Sequence, residues 1–460
     1  MTSAAPRTFL IPKGQDMAAS RTFAVLLVVL AVFTAGPALA QPADPPVVFV
    51  HGNGDTAALW HTTIWRFESN GYARDRLLAI DLKFPSARGV DATPQEGRSS
   101  AEEAMRQLVA FVDEALARTG AAKVALVGNS RGATTIRNYV RYRGGASKTS
   151  HVVLGGGVNH GVIVSDRHMV GSEFNGASDV MKRLNEGDEV GAGGAFLTIR
   201  SDRNDKYAQP MGTFISLPDV PTNLSYDAPA LKGATNVVLP GADHREVSYG
   251  PRAFAETYRF ITGRTPARLG IASEPVPVLN GRVTGVTAGV YDNQPVPGAT
   301  VEIYVVDPKT GARQGEPAHR KVTAADGAWG PFRASPAAAY EFVVAVVDKP
   351  ITHIYRSPFP RGSDVIHLRP ATLAKDDATA AVVVLMTRPR GYFGHGRDVF
   401  TLDGSVPAGI NEGVPGTSLA RLRLPDAAPR SVAARFNEET IVTRTWPRAE
   451  GHVSVAELHY

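Results

Sequence analysis

The chain has 460 residues, too many for one compact core and enough for two or three domains. Apolar residues make up 43% and charged residues 20%, which excludes a disordered chain, and the formal charge of +5 comes from scattered Lys and Arg with no basic run to suggest nucleic-acid binding. Cysteine is absent, which excludes disulfides and thiolate metal sites and leaves stability to packing.

The first element in chain order is an uncharged apolar run over residues 23–33, preceded by Arg21. Ala38-Leu39-Ala40 after it has the small-x-small form of a cleavage site, so residues 1–40 read as an export signal and the mature chain is expected to start near Gln41. The apolar run is shorter than the roughly 20 residues that span a bilayer, and no adjacent arginine pair marks the twin-arginine route. Met1 and Met17 stand as alternative starts. The expected localisation is secreted, either extracellular or periplasmic.

Over 43–265, short apolar runs alternate with amphipathic segments, which predicts an α/β fold with a mostly parallel sheet covered by helices on both faces. Strands are expected at 47–50, 77–81, 124–127, 152–155, 196–200 and 236–239. Ser99-Ser100 followed by Glu102-Glu103 is a capping-box signal that predicts a helix to about Arg118. A last helix is expected from about Pro251 to Ile261.

The most informative motif is Gly128-Asn129-Ser130-Arg131-Gly132, set between the apolar run 124–127 and a helix-like segment. A sharp strand-to-helix turn lifts a serine hydroxyl clear of the sheet, and the flanking glycines let the two backbones pass closely. Ser130 is therefore the candidate nucleophile. A serine needs a base, the base needs an orienting acid, and a developing oxyanion needs N–H donors. His244, in the loop after the strand expected at 236–239, is the candidate base. Asp205, after the preceding strand, is the candidate acid, with Asp202 as its competitor. Asp243 is disfavoured because an adjacent residue has difficulty reaching the Nδ1 side of the imidazole. His51-Gly52-Asn53 follows the first strand, so the backbone N–H groups of Asn53 and Arg131 are the candidate oxyanion donors. His51 is read as bracing its loop, and His160 and His168 as polar loop residues rather than metal ligands.

Val48-Phe49-Val50-His51-Gly52-Asn53-Gly54, the 124–132 segment, Val153-Leu154-Gly155-Gly156, the 201–205 stretch and the segment from Leu231 through Gly241 to His244 resemble the small secreted bacterial lipases with little or no lid. The resemblance covers residues 46–262. It implies an α/β-hydrolase and a carboxylester hydrolase with Ser130, Asp205 and His244 as triad, no metal or organic cofactor, and an ester substrate. Polyester depolymerase, amide or thioester hydrolase, and a non-catalytic binding protein stand as alternatives. Two departures are visible: Asn129 stands where those lipases commonly have histidine, and Arg131 where they have a small or apolar residue. Residues 157–194 form a longer insertion, read as a cap over the acyl pocket.

A linker is expected at 266–275, followed by a β-sandwich over 276–370 and a second β-rich module over 371–460. The first resembles carboxypeptidase-regulatory-like or transthyretin-like sandwiches. Tyr355, Phe359, Tyr392, Phe393 and Trp446 are read either as contacts to an insoluble substrate or as ordinary core aromatics.

Overall fold

Strands buried on both faces read as continuous apolar runs, and Val47–Val50 is such a strand, buried along its length. Its side chains alternate between two cores. Val47 and Phe49 pack with Trp60, Phe67, Phe254 and Tyr258, whereas Val48 and Val50 pack with Leu108, Val112, Ile136 and Tyr139. The strand thus sits in a parallel six-stranded sheet, in the order Leu77–Ile80, Val47–Val50, Val124–Asn129, Thr149–Gly155, Ala195–Ser201, Thr235–Leu239. Helices His61–Ser69 and Pro251–Thr262 cover one face, and Ala101–Thr119 and Arg131–Tyr142 the other. The helix Ala101–Thr119 begins at the expected capping box, with the Ser100 side chain accepting from the Glu103 N–H and the Glu103 carboxylate from the Ser100 N–H. These features come from a computed structural model that describes Thr8 and residues 44–460. The expected export signal lies outside the described residues.

The segment expected as a linker is docked rather than free. Arg66 donates to the Leu269 carbonyl, the Ala272 N–H donates to Ser69, and Glu274 pairs with Arg74. Beyond it, a seven-stranded sheet runs in the order His319–Val322, Thr300–Val306, Ala339–Ala345, Ile351–Arg356, His452–Glu457, Val382–Thr387, Leu419–Leu424. His452–Glu457 is parallel to both of its neighbours. This one sheet draws strands from both sides of the boundary expected at 370/371. Period-2 alternation gives it two cores: Val301, Phe342, Val383 and Val453 face one way, and Val382, Val384, Met386 and Ala456 face a smaller sheet of Phe400–Leu402, Ser431–Phe436 and Glu439–Arg444. Tyr355, Phe359, Tyr392 and Phe393 are all buried, which favours their reading as core aromatics over that as exposed contacts to an insoluble substrate. Trp446 is partly buried and stacks on His353.

Candidate active site

Between the strand Val124–Asn129 and the helix Arg131–Tyr142, Ser130 has φ 53° and ψ −119°, a conformation that L-residues rarely adopt and that marks a strained functional turn. The turn exists because nothing crowds it. A Cβ on Gly132 would lie 2.4 Å from the Val50 carbonyl oxygen and 2.8 Å from that of His51, both rigid backbone.

His244 sits in the loop after Thr235–Leu239, and Asp205 in the loop after Ala195–Ser201. The imidazole Nδ1 lies 2.8 Å from Asp205 Oδ1 and 2.9 Å from Oδ2. With its proton directed to the carboxylate, Nδ1 leaves the lone pair on Nε2, and that buried atom has no hydrogen-bond partner among the described residues. The Tyr207 N–H donates to Asp205, and the Tyr207 ring stands edge-on to His244, 4.7 Å between centroids. Ser130 and His244 open onto one cavity of about 270 Å³.

The competing carboxylates are engaged elsewhere. Asp202 accepts the N–H groups of Arg203 and Gly241, tying its loop to the one that carries His244. Asp243 is fully buried and faces Arg388 and Arg397, each at 3.2 Å. His51 accepts from the Leu82 N–H through Nε2 and donates from Nδ1 to the Gly52 carbonyl, so it braces the loop that carries Asn53. Burial holds its pKa below the usual histidine value. His160 bridges the Ala228 carbonyl and Glu189, while the His168 carbonyl accepts from Asn175.

The two departures from the lipase pattern both have structural work. Asn129 donates to the carbonyls of Gly155 and His244 and to Ser248, fixing the loop of His244 against the strand that leads into Ser130. Arg131 is fully buried; its guanidinium reaches Glu173 at 2.6 Å and also donates to Pro85 and Ser99. Glu173 belongs to the 157–194 insertion, whose Val158, Val162, Met169 and Phe174 line the cavity beside Phe214 and Ile215. The Arg131 N–H opens its helix, where first-turn amides lack intrahelical acceptors. Asn53 also lines the cavity, and its N–H has no acceptor among the described residues.

Sequence reasoning did not anticipate the contribution from the far end of the chain. Tyr392 lines the same cavity, with Lys206 Nζ 4.3 Å from its ring centroid and Arg245 5.4 Å away. Burial, with Arg245 beside it, pushes Lys206 down to about 8. Arg388 and Arg397 clamp Asp243 and Glu246 on either side of the histidine loop. No local signal marks this placement, because nearly 150 positions separate Tyr392 from Asp243, whose carboxylate accepts its N–H.

A parallel sheet covered on both faces, with a strained serine at the strand-to-helix turn and a histidine and a carboxylate on later loops, defines an α/β-hydrolase. Residues 44–203 match the family model described as Lipase (class 2), and residues 278–373 match the model described as Lipase C-terminal domain, which supports a lipase/esterase hydrolase. Among solved structures, the mature form of a Bacillus licheniformis lipase is 18% identical over 48% of this chain and 94% of its own, with a TM-score of 0.37. The propeptide form of that lipase is 14% identical over 88% of this chain and 93% of its own, also at 0.37. Aspergillus fumigatus lipase B is 15% identical over 50% of this chain and 55% of its own, at 0.37.

Proposed function

We propose that this protein is a secreted carboxylester hydrolase that works through an acyl-enzyme on Ser130. The observation that carries the reading is the pairing of a strained serine with a histidine whose Nδ1 is held by Asp205 and whose Nε2 is free, both on one cavity. His244 Nε2 takes the Ser130 proton as the hydroxyl attacks the ester carbonyl, and Asp205 fixes the tautomer and stabilises the imidazolium. The N–H groups of Asn53 and Arg131 receive the oxyanion. His244 then protonates the departing alcohol, and a water activated by the same Nε2 hydrolyses the acyl-enzyme.

The 157–194 insertion acts as a cap, since it contributes Val158, Val162, Met169 and Phe174 to the apolar lining of the cavity that Ser130 shares. The site volume favours short or medium acyl chains. Export rests on the leader pattern at residues 1–40.

The test is hydrolysis of p-nitrophenyl esters from two to sixteen carbons by the mature chain beside Ser130→Ala. The variant is expected to fold normally and lose on the order of 10³-fold or more in kcat. Equal turnover by a folded Ser130→Ala protein refutes the nucleophile, and a peak at the longest chains refutes the short-chain preference.

A further inference from the structure

A second cavity, of about 400 Å³, lies between the catalytic unit and the seven-stranded sheet. The Asp55–Arg245 ion pair, 2.7 Å long, lines both it and the cavity of Ser130. Its walls combine an apolar surface, including Ile354, Leu385 and Val455, with five arginines and only two carboxylates.

Pairing leaves charge unmatched. Arg245 takes Asp55, Arg356 takes Glu457 at 2.8 Å, and Arg421 reaches out to Asp377 at 2.7 Å. Arg369 and Arg390 have no carboxylate within salt-bridge distance among the described residues. Arg390, buried, donates to the carbonyls of Leu458 and His459, and Arg369 to those of Gly54 and Asp55 and to the Asn293 side chain. Carbonyl dipoles solvate a guanidinium but do not neutralise it, and a buried charge without a counter-charge costs several kcal/mol. Burial accordingly lowers both, Arg390 to about 10. A separate observation points into the same space: His61, 3% exposed and lining this cavity, has neither ring nitrogen hydrogen-bonded among the described residues.

We propose that this cavity binds an organic anion with an apolar arm, of the alkyl carboxylate class. Its carboxylate supplies the counter-charge that Arg369 and Arg390 lack and accepts the His61 N–H, while the arm lies along Ile354, Leu385 and Val455. A fully hydrated inorganic anion would match the charge but leave the apolar wall uncovered.

The test uses calorimetric titration of the mature chain carrying Ser130→Ala, so that turnover plays no part and the binding result stands apart from the proposed hydrolysis. Octanoate is expected to bind saturably, with octan-1-ol and inorganic phosphate each about tenfold weaker or more. Leu419, 36% exposed and lining the cavity, accepts a polar substitution without loss of core. Adding Leu419→Glu, which sets a carboxylate among the guanidiniums, is expected to weaken octanoate about tenfold with the thermal midpoint unchanged, whereas Leu419→Gln retains binding. Arg390→Gln provides a second variant with the same expected loss. Absence of saturable octanoate binding overturns the proposal, as does equal binding of octan-1-ol or phosphate, or full affinity in folded Leu419→Glu and Arg390→Gln proteins.

Discussion

Asn129 shows how a single residue couples the two halves of the proposed chemistry. Its amide spans from the nucleophile strand to the His244 carbonyl, so the histidine is positioned by the residue next to the serine rather than by its own loop alone. Replacing it by alanine leaves the buried His244 carbonyl without its donor, at about 2 kcal/mol of stability. Asn129→Ala is expected to lower kcat more than tenfold with KM little changed, because imidazole placement matters most in the transition state. Wild-type kcat in the folded variant would show that the histidine loop holds itself. At this scale the sequence was legible where chemistry and local backbone coincide. Ser130 stands out because its turn demands glycine at 128 and 132, and His244 and Asp205 because each follows an apolar strand. Arg388 and Arg397 carried no mark, and Tyr392 stood out only as one aromatic of the β-rich region, since their importance lies in a partner far along the chain.

Among the elements, the parallel strands were the easiest to read, because burial on both faces writes an unbroken apolar run into the sequence. The 157–194 insertion was not, and its bonding explains why. Much of its order comes from side chains meeting backbone, as where Asn175 accepts the N–H groups of Ser165 and Ala177 and donates to the Ser165 carbonyl. Such bonding has no period. One buried anchor to the rest of the molecule is the Arg131–Glu173 pair, with side chains 0% and 1% exposed, alongside Arg137, which donates to the Asn159, Leu184 and Glu189 carbonyls. Glu173→Ala strands a buried guanidinium, a loss of about 3 kcal/mol or more. Because Phe174 follows directly and lines the cavity, the same variant is expected to broaden the preference for acyl length toward longer esters. An unchanged chain-length profile would separate the insertion from substrate selection.

At the scale of the whole molecule, the β-rich region is fastened to the helix His61–Ser69 and to the end of the strand Leu77–Ile80. Trp65 donates to the Gly362 carbonyl at 2.8 Å, Arg361 pairs with Glu68 at 2.7 Å, and His367 meets Asp81 at 2.6 Å. Burial alone would raise the Asp81 carboxyl, but the His367 imidazole, with help from His51 and the Ala57 N–H, holds it well below the usual carboxylate range. A carboxyl depressed in the folded state stabilises the protein above its unfolded value, about 3.9, and that contribution is lost as pH falls toward the folded value. Acid unfolding is therefore expected to shift to higher pH in Asp81→Asn, with about 3 kcal/mol lost at neutral pH. Identical acid midpoints for the two proteins, followed by circular dichroism, would remove Asp81 from the joint. The expected boundary at 370/371 came from composition and turn spacing, which report that strands exist and not which strands pair. Ile351–Arg356 finds its neighbour His452–Glu457 about a hundred positions away, a distance over which local pattern is silent.

That neighbour strand lends the molecule a timetable. As the chain emerges from synthesis, Ile351–Arg356 and Val382–Thr387 arrive first, each presenting a row of open amides with nothing between them. Only when His452–Glu457 slots into the vacancy does the sheet become continuous, so assembly finishes at its centre rather than its rim. A break in the chain shortly before His452 would therefore leave two sticky edges facing each other across a gap, and foreign strands would compete for the place.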